Sequence, residues 1–532
     1  MTQEPTSYDQ VPYPSLSYTH THPDHLATVA KLMGLDAAPP ERCRMLELGC
    51  ASGGNLLPMA YTLPESEFVG IDISKRQIDE GLESLQELAF DNITLKQMDI
   101  LDVNGAMGQF DYIVAHGIFS WVPYEVQEKL LDVCRENLAT NGVAFVSYNT
   151  FPGWHMIGII RGLMRYHTRD DADPRERASR AREILDFFAQ SSEPEGSAYG
   201  GFLRMYAEFL QGGHKGNHEA GNSFLLHDEM EDLNQPYYFY EFAERAAEHG
   251  LQYLGEAEFR KMMTSNFPPD VTKTLAQHCK SVIDLEQYMD FLRNRTLRQT
   301  LLCHQDIKLS RKLRPEQIQT FRVSSHTKTE QDPDIQSSAV VKFQGSDNAT
   351  LAIDHPVSKA AMVHLAKVWP EPVPFDSLLD EARSYLGLRT EDDGRVQDAK
   401  VLAANLFQAY SYSTELVDLH IYRPPMVLTI SERPVASPVA RLQARKSTTV
   451  TNLRHERVDL DDLDRHLIQY LDGSHDQAGL ARCLEKGPVA EGLLTLERDG
   501  KPIEDEKLLR DLLTEGVSKR LRWLRLAALL VG

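Results

Sequence analysis

The sequence predicts an α/β protein: a seven-stranded doubly wound sheet interrupted by a helical insertion and followed by mainly helical, winged-helix-like C-terminal domains. Three observations predict it. From about 43 to 149, short apolar runs alternate with stretches of helical periodicity, the pattern of repeated β-α-β units. The pattern then gives way to helix and resumes later. From 307 onward it changes again, to three helices and a strand, followed by a looser second set of three helices.

Taken in order, residues 1–42 carry no strand pattern and read as an N-terminal lid segment. CRMLEL, EFVGID, ITLKQM, DYIVAH and VAFVSY are the first five strands of a core spanning 43–154, with ISKRQIDEGLESLQELA and YEVQEKLLDVCRENLA as helices between them. Residues 155–230 form the insertion. EILDFF and FLRMYAEFL carry apolar faces at helical spacing, and SSEPEGSAYGG and QGGHKGNHEAGN are loops. The core resumes over 231–306, with strands near Leu251–Gly255 and in LRQTLLC, ending at Cys303. VSKAAMVHLAKVW, FDSLLDEARSYLG and DAKVLAANLFQAYS make the middle domain, 307–415, and the strand ELVDLHI follows them. LDDLDRHLIQYLDG, HDQAGLARCLEKG and EDEKLLRDLLTEG belong to the last, 416–532. The spacing from His364-Leu365 to Leu378 matches that from His466-Leu467 to Leu480, a weak internal repeat. SKRLRWLRLAALLVG reads as a closing helix.

Composition bounds the function. With 532 residues, 42% hydrophobic and 25% charged, the chain is neither disordered throughout nor fibrous. No apolar run approaches the ~20 residues of a membrane span. The start, MTQEPTSYDQ, lacks the regions of a signal peptide. Six scattered cysteines without a CxxC pair read as reduced thiols in a cytoplasmic protein. The net charge of −22 repels phosphate backbones, and EDEKLLRDLLTEG is acidic where a DNA-reading helix wants Arg and Lys. The expected partners therefore exclude nucleic acid and stable membrane insertion. His20, His22 and His25 form HxHxxH without a supporting carboxylate or cysteine set, so the expectation is lid packing and no metal.

Chemistry concentrates at Met45-Leu46-Glu47-Leu48-Gly49-Cys50-Ala51-Ser52-Gly53-Gly54-Asn55, a strand running into a small-residue turn and a helix start. Gly49 permits a tight turn, and Ala51 and Gly53 leave room for a ligand against the backbone. Glu47 would repel a pyrophosphate but suits an ammonium group. Asp72, ending the second strand, suits ribose hydroxyls. Asp99, ending the third, suits an adenine amino group, with Ile73, Met98 and Ile100 as apolar faces for the base. Ammonium, ribose and adenine in that order describe S-adenosylmethionine. At the tips of the fourth and fifth strands, His116, Trp121, Tyr148 and Trp154 face the transferable group, and a DPPY tetrapeptide is absent.

The motifs LELGCASGGN, VGIDIS, MDI, HGIFSWVP and SYNTFPGWH resemble class I S-adenosylmethionine-dependent methyltransferases, and the sheet is then Rossmann-like. YDQVPYPSLSYTHTHPDHLATVA and HDEMEDLNQPYYFYEFAERAAEHGLQYLGEAEF resemble members with a methyltransferase regulatory domain, above all the rickettsial protein-lysine methyltransferases of outer-membrane proteins. The resemblance implies a homodimer acting on a protein substrate with an accessible lysine. The cofactor-binding set is then Glu47, Gly49, Ala51, Gly53, Asn55, Asp72, Ile73, Met98, Asp99, Ile100 and His116. Trp121 and Trp154 would meet substrate. Tyr148, His116 and Tyr13, with Tyr8 behind them, are candidates to orient the amine and pass on its proton. A methyltransferase for a small molecule or nucleic acid, or a cofactor-binding regulator without turnover, remains the alternative.

Overall fold

In the computed structural model, which describes residues 14–532 apart from 172, 193–196, 213–224, 390–393, 499–500 and 503–504, seven strands form one sheet. They are β1 (Arg44–Leu48), β2 (Glu67–Asp72), β3 (Ile93–Gln97), β4 (Phe110–Ala115), β5 (Leu138–Asn149), β6 (Leu251–Glu256) and β7 (Leu297–His304), in spatial order 3-2-1-4-5-7-6. The central strands are mostly apolar because both faces are covered. Along β5, Val143 and Phe145 enter one core, while Ala144, Val146 and Tyr148 enter the other.

One strand departs from the doubly wound expectation. β7 runs antiparallel to both neighbours. Glu256 at the end of β6 pairs with Thr300 near the start of β7, so the segment between them leaves and re-enters the sheet at one edge. That segment holds helices Pro269–His278 and Val282–Arg293. The apolar run LRQTLLC announces a strand but carries no direction.

Where β6 and β7 meet the second of those helices, a charged cluster is fully enclosed. Arg298 Nε and Nη2 donate to the two oxygens of Asp290 (2.8 and 2.9 Å), Nη1 to Glu256 Oε1 (2.8 Å) and Nη2 to Glu286 Oε2 (3.1 Å). Arg295 also pairs with Glu256. Burial works against the Glu256 charge, yet Arg295 and Arg298 hold its carboxyl down at about 2. Burial outweighs the same cations at Glu286 and pushes it up.

The insertion is three helices, Gly153–His167, Pro174–Ser191 and Ala198–Gly212, which close a small core of their own through Ile160, Met164, Leu185, Leu203 and Tyr206. Most of the loop QGGHKGNHEAGN and part of SSEPEGSAYGG lie outside the described residues. The outer faces expose Ile159, Tyr166, Phe187, Met205 and Phe209.

In the middle domain, Arg322–Ser324 pairs with Val373–Pro374 on one side and Asp418–His420 on the other. The domain therefore runs at least to His420, past the expected boundary at 415. In the last domain, EDEKLLRDLLTEG and the closing helix are one continuous helix, Glu506–Leu526. A lone Gly516 does not break it. The whole helix carries six basic residues against three acidic ones, so its acidity no longer argues against DNA; the net charge of −22 still does. Leu365, Leu378, Leu467 and Leu480, the repeat positions, are all buried. Among the described residues no helix is long and apolar enough to cross a membrane.

Candidate active site

The site is built at the carboxyl edge of β1, β2 and β4. After β1 the chain turns at Gly49, with φ +74°, where an added Cβ would lie 2.2 Å from Ile118 Cδ1. Ala51 also adopts a left-handed conformation, φ 50°. It is held there by its amide, which donates to Asp72 Oδ2 at 2.9 Å. Ser74 N donates to the other oxygen, Oδ1, at 2.8 Å. Asp72 thus ties the turn after β1 to the helix after β2 with a half-buried carboxylate. Asp99 accepts from Leu101 N (2.9 Å) at the mouth of a short turn. Ile73 is exposed beside it, and Met98 and Ile100 are half-buried.

Glu47 lies deeper, 4% exposed. Asn55 Nδ2 donates to its Oε1 at 2.8 Å, and its Oε2 has no hydrogen-bond partner among the described residues. Burial pushes the carboxyl up to about 7. A buried acceptor without a donor suits an arriving ammonium group, which would stabilise its charged form. Asn55 was expected at a helix start and does sit there, before Leu56–Thr62, but its side chain caps nothing. It serves Glu47 instead.

Several contributors come from far along the chain and were not expected. Gly54 N donates to Ser15 Oγ (2.8 Å). Tyr18 N donates to Asn55 Oδ1 (3.0 Å), and the Tyr18 ring stacks on His116 with centroids 3.8 Å apart. His455, from the last domain, reaches the same Asn55 oxygen with Nε2 at 2.8 Å. The roof over the turn is therefore the N-terminal segment and the last domain. Tyr13 and Tyr8 lie outside the described residues.

Burial, helped by the nearby charges of His20 and Arg457, brings His116 down to about 4. The imidazole stacked on Tyr18 is therefore held in its neutral form, too weak a base to hold a lysine proton. Tyr148 does not reach the site. It is 1% exposed, stacks on Phe242 at 4.1 Å and pairs its hydroxyl with Thr300 Oγ1 at 3.2 Å. Its side chain points into the core beneath the sheet, so the role expected for it at the amine is corrected. Trp121 and Trp154 do come together, edge to face at 6.2 Å. Beside them Phe151 stacks on His155 at 4.0 Å, and His155 Nε2 meets the Tyr238 hydroxyl at 3.0 Å. Tyr237 turns away from this group: its ring packs on Phe119 with centroids 5.7 Å apart and its hydroxyl donates to Gln127 Oε1 at 2.7 Å. The sequence marks Tyr238 only as part of the block that resembles the regulatory domain.

The histidines of HxHxxH pack as a lid. His22 Nδ1 accepts from Asp24 N (3.1 Å) at a helix start, and His25 Nε2 meets Ala257 O at 2.7 Å. Among the described residues no group of three or more His, Cys, Asp or Glu is arranged to hold a metal.

Three family models match the chain. One is described as a methyltransferase domain, over residues 46–144, another as a predicted methyltransferase regulatory domain, over 221–304. The third is described as the PKMT C-terminal winged helix domain, over 432–529. The Rickettsia prowazekii (strain Madrid E) protein RP789 is 34% identical over 512 residues, 94% of this chain and 90% of that one. RP028 of the same strain is 38% identical over 248 residues, covering 47% of this chain and 96% of the relative. The structure of PKMT2 from Rickettsia typhi in complex with AdoHcy superimposes with a TM-score of 0.87 at 30% identity, over 98% of this chain and 100% of that one. The seven-stranded sheet and the domains that follow it agree with that likeness, and the chain belongs to the S-adenosylmethionine-dependent methyltransferase family that includes the rickettsial PKMT proteins.

Proposed function

We propose that this chain is a protein-lysine N-methyltransferase. One observation carries the reading: the likeness to PKMT2 extends over 98% of this chain, beyond the methyltransferase sheet and through the insertion and both tail domains. S-adenosylmethionine supplies a methyl group already activated as a sulfonium. Glu47 takes its ammonium group, Asp72 the ribose hydroxyls and Asp99 the adenine amine, with Ile73, Met98 and Ile100 against the base. The protein's task is then to align a neutral amine behind that carbon. An aromatic rim of Trp121, Trp154, Phe151 and Tyr238 disfavours the ammonium form of a lysine and accepts its apolar stem. The test is mass spectrometry of lysines after incubation with cofactor and the proteome of the source cell. Turnover of a free metabolite with no modified lysine would refute the reading.

Glu47 makes cofactor binding depend on pH. Its carboxyl, near 7 in the free protein, must be ionised to meet an ammonium group. Affinity for S-adenosylhomocysteine should rise up to about tenfold between pH 6 and 8. 5′-Methylthioadenosine, which has no ammonium group, should show no such rise. Calorimetry at the two pH values decides it, and equal slopes for both ligands would sink the assignment.

The working form we infer is a homodimer joined through the insertion, whose helices turn Phe187, Met205 and Phe209 outward. Such a face on a helical hairpin is costly in water. Phe187→Glu combined with Phe209→Glu should convert a two-chain mass in light scattering to a one-chain mass. A variant that stays dimeric would place the interface elsewhere. Six free cysteines, four of them buried, support a cytoplasmic setting.

A further inference from the structure

We propose that His455 of the last domain is a positioning residue of the cofactor's amino-acid subsite. It would act by fixing the orientation of Asn55 and, through it, of Glu47. The inference rests on the assignment of Glu47 to the cofactor's ammonium group.

The argument is one of hydrogen-bond inventory. The Asn55 amide has two donor positions and an oxygen with two lone pairs, and all are used. Nδ2 donates to Glu47 Oε1 at 2.8 Å and to Thr21 Oγ1 at 2.9 Å. Oδ1 accepts from Tyr18 N at 3.0 Å and from His455 Nε2 at 2.8 Å. Turned over, the amide would set its oxygen against the Glu47 carboxylate and its hydrogens against two donors. Thr21 Oγ1 accepts from the amide, since its own hydrogen is donated to Tyr18 O at 2.8 Å. Glu47 and Thr21 oppose the turned-over state as acceptors, and Tyr18 N and His455 Nε2 oppose it as donors; of the two donors only His455 is a side chain.

His455 is itself held in place. Its φ is +62°, a left-handed position in a tight turn. Its amide donates to Asn452 O at 3.1 Å, and Asn452 Oδ1 accepts from both Arg454 N and Glu456 N at 2.9 Å. Thr19 Oγ1 donates to its carbonyl at 3.1 Å. The next residue back, Arg454, lies over the Trp369 ring at 4.4 Å, anchoring the turn on the middle domain. The ring is 3% exposed, and burial brings it down to about 3, so it stays neutral. With a carbonyl oxygen as partner, the proton is assigned to Nε2. Two domains and the N-terminal segment thus converge on one amide, whose remaining bond aims Glu47.

The test uses the full chain and two ligands. S-adenosylhomocysteine has the amino-acid moiety and 5′-methylthioadenosine lacks it. His455→Gln retains a donor, and His455→Met has similar reach and none. Calorimetry should show His455→Met weakening S-adenosylhomocysteine tenfold or more, His455→Gln recovering most of that loss, and 5′-methylthioadenosine unchanged within about twofold in both. A merely structural role would weaken both ligands together, and that result overturns the proposal, as does equal binding by the Gln and Met variants. Glu47→Gln separates the two levels. If it leaves the ratio of the two ligands unchanged, the subsite reading of Glu47 fails. If it alters the ratio and His455→Met does not, only the role of His455 fails. Should both His455 variants misfold, wild-type protein with ¹⁵N-labelled histidine decides. The His455 Nε2–H resonance should shift with S-adenosylhomocysteine and stay within its linewidth with 5′-methylthioadenosine; equal shifts overturn the proposal.

Discussion

Asp72→Ala should remove measurable cofactor binding while leaving the chain folded. The lost contacts to the ribose are two charge-assisted hydrogen bonds, each worth on the order of 1.5–3 kcal/mol. Together they amount to roughly a hundredfold or more in affinity. The substitution also frees Ala51 N and Ser74 N, which Asp72 now holds at 2.9 and 2.8 Å. Without that tether a non-glycine residue at φ 50° has less reason to stay left-handed, and the turn that receives the ligand loosens. Calorimetry with S-adenosylhomocysteine measures the effect, and thermal unfolding controls for the fold. An affinity within about threefold of wild type would remove Asp72 from the site.

Arg298→Met should be the most damaging single change to stability. The side chain is fully buried and is the hub for Asp290, Glu256 and Glu286. Removing one partner of a buried ionic group leaves the others uncompensated, at about 3–5 kcal/mol. The midpoint of thermal unfolding should fall by roughly 5–10 °C at neutral pH. The sign of the pH dependence follows from what remains. Carboxylates that have lost their cation have folded pKa values raised above the unfolded ones. Their cost is present above the unfolded pKa and is relieved as pH falls and they take up protons. The gap between variant and wild type should narrow from pH 7 to pH 5. A variant melting within about 2 °C of wild type at pH 7 would show that the cluster is not held by Arg298.

The acids at the strand ends could be picked out because each lies within two residues of the carboxyl end of a strand, and a doubly wound sheet brings those ends to one edge. Glu47, Asp72 and Asp99 needed only that rule. Tyr148 was misplaced for a related reason. Strand parity puts it on the same face as Ala144 and Val146, both in the core beneath the sheet, and that parity was available in the sequence once one neighbour's face was known. The roof was not readable. Asn55 meets Tyr18 across 37 positions and His455 across 400, and nothing local in LRHER or LSYTH announces such contacts. The direction of β7 was likewise hidden, since an apolar strand reads alike in either sense.

The contact between Asn55 and His455 also orders events in time. A ribosome releases the glycine turn and its acids long before it makes the residue 400 positions later that completes their roof. Until that turn docks, a nascent chain holds an unaimed Glu47 and a poor grip on the cofactor. Chains interrupted before that point would compete weakly for the cell's methyl donor, so an unfinished copy is disarmed by its own geometry.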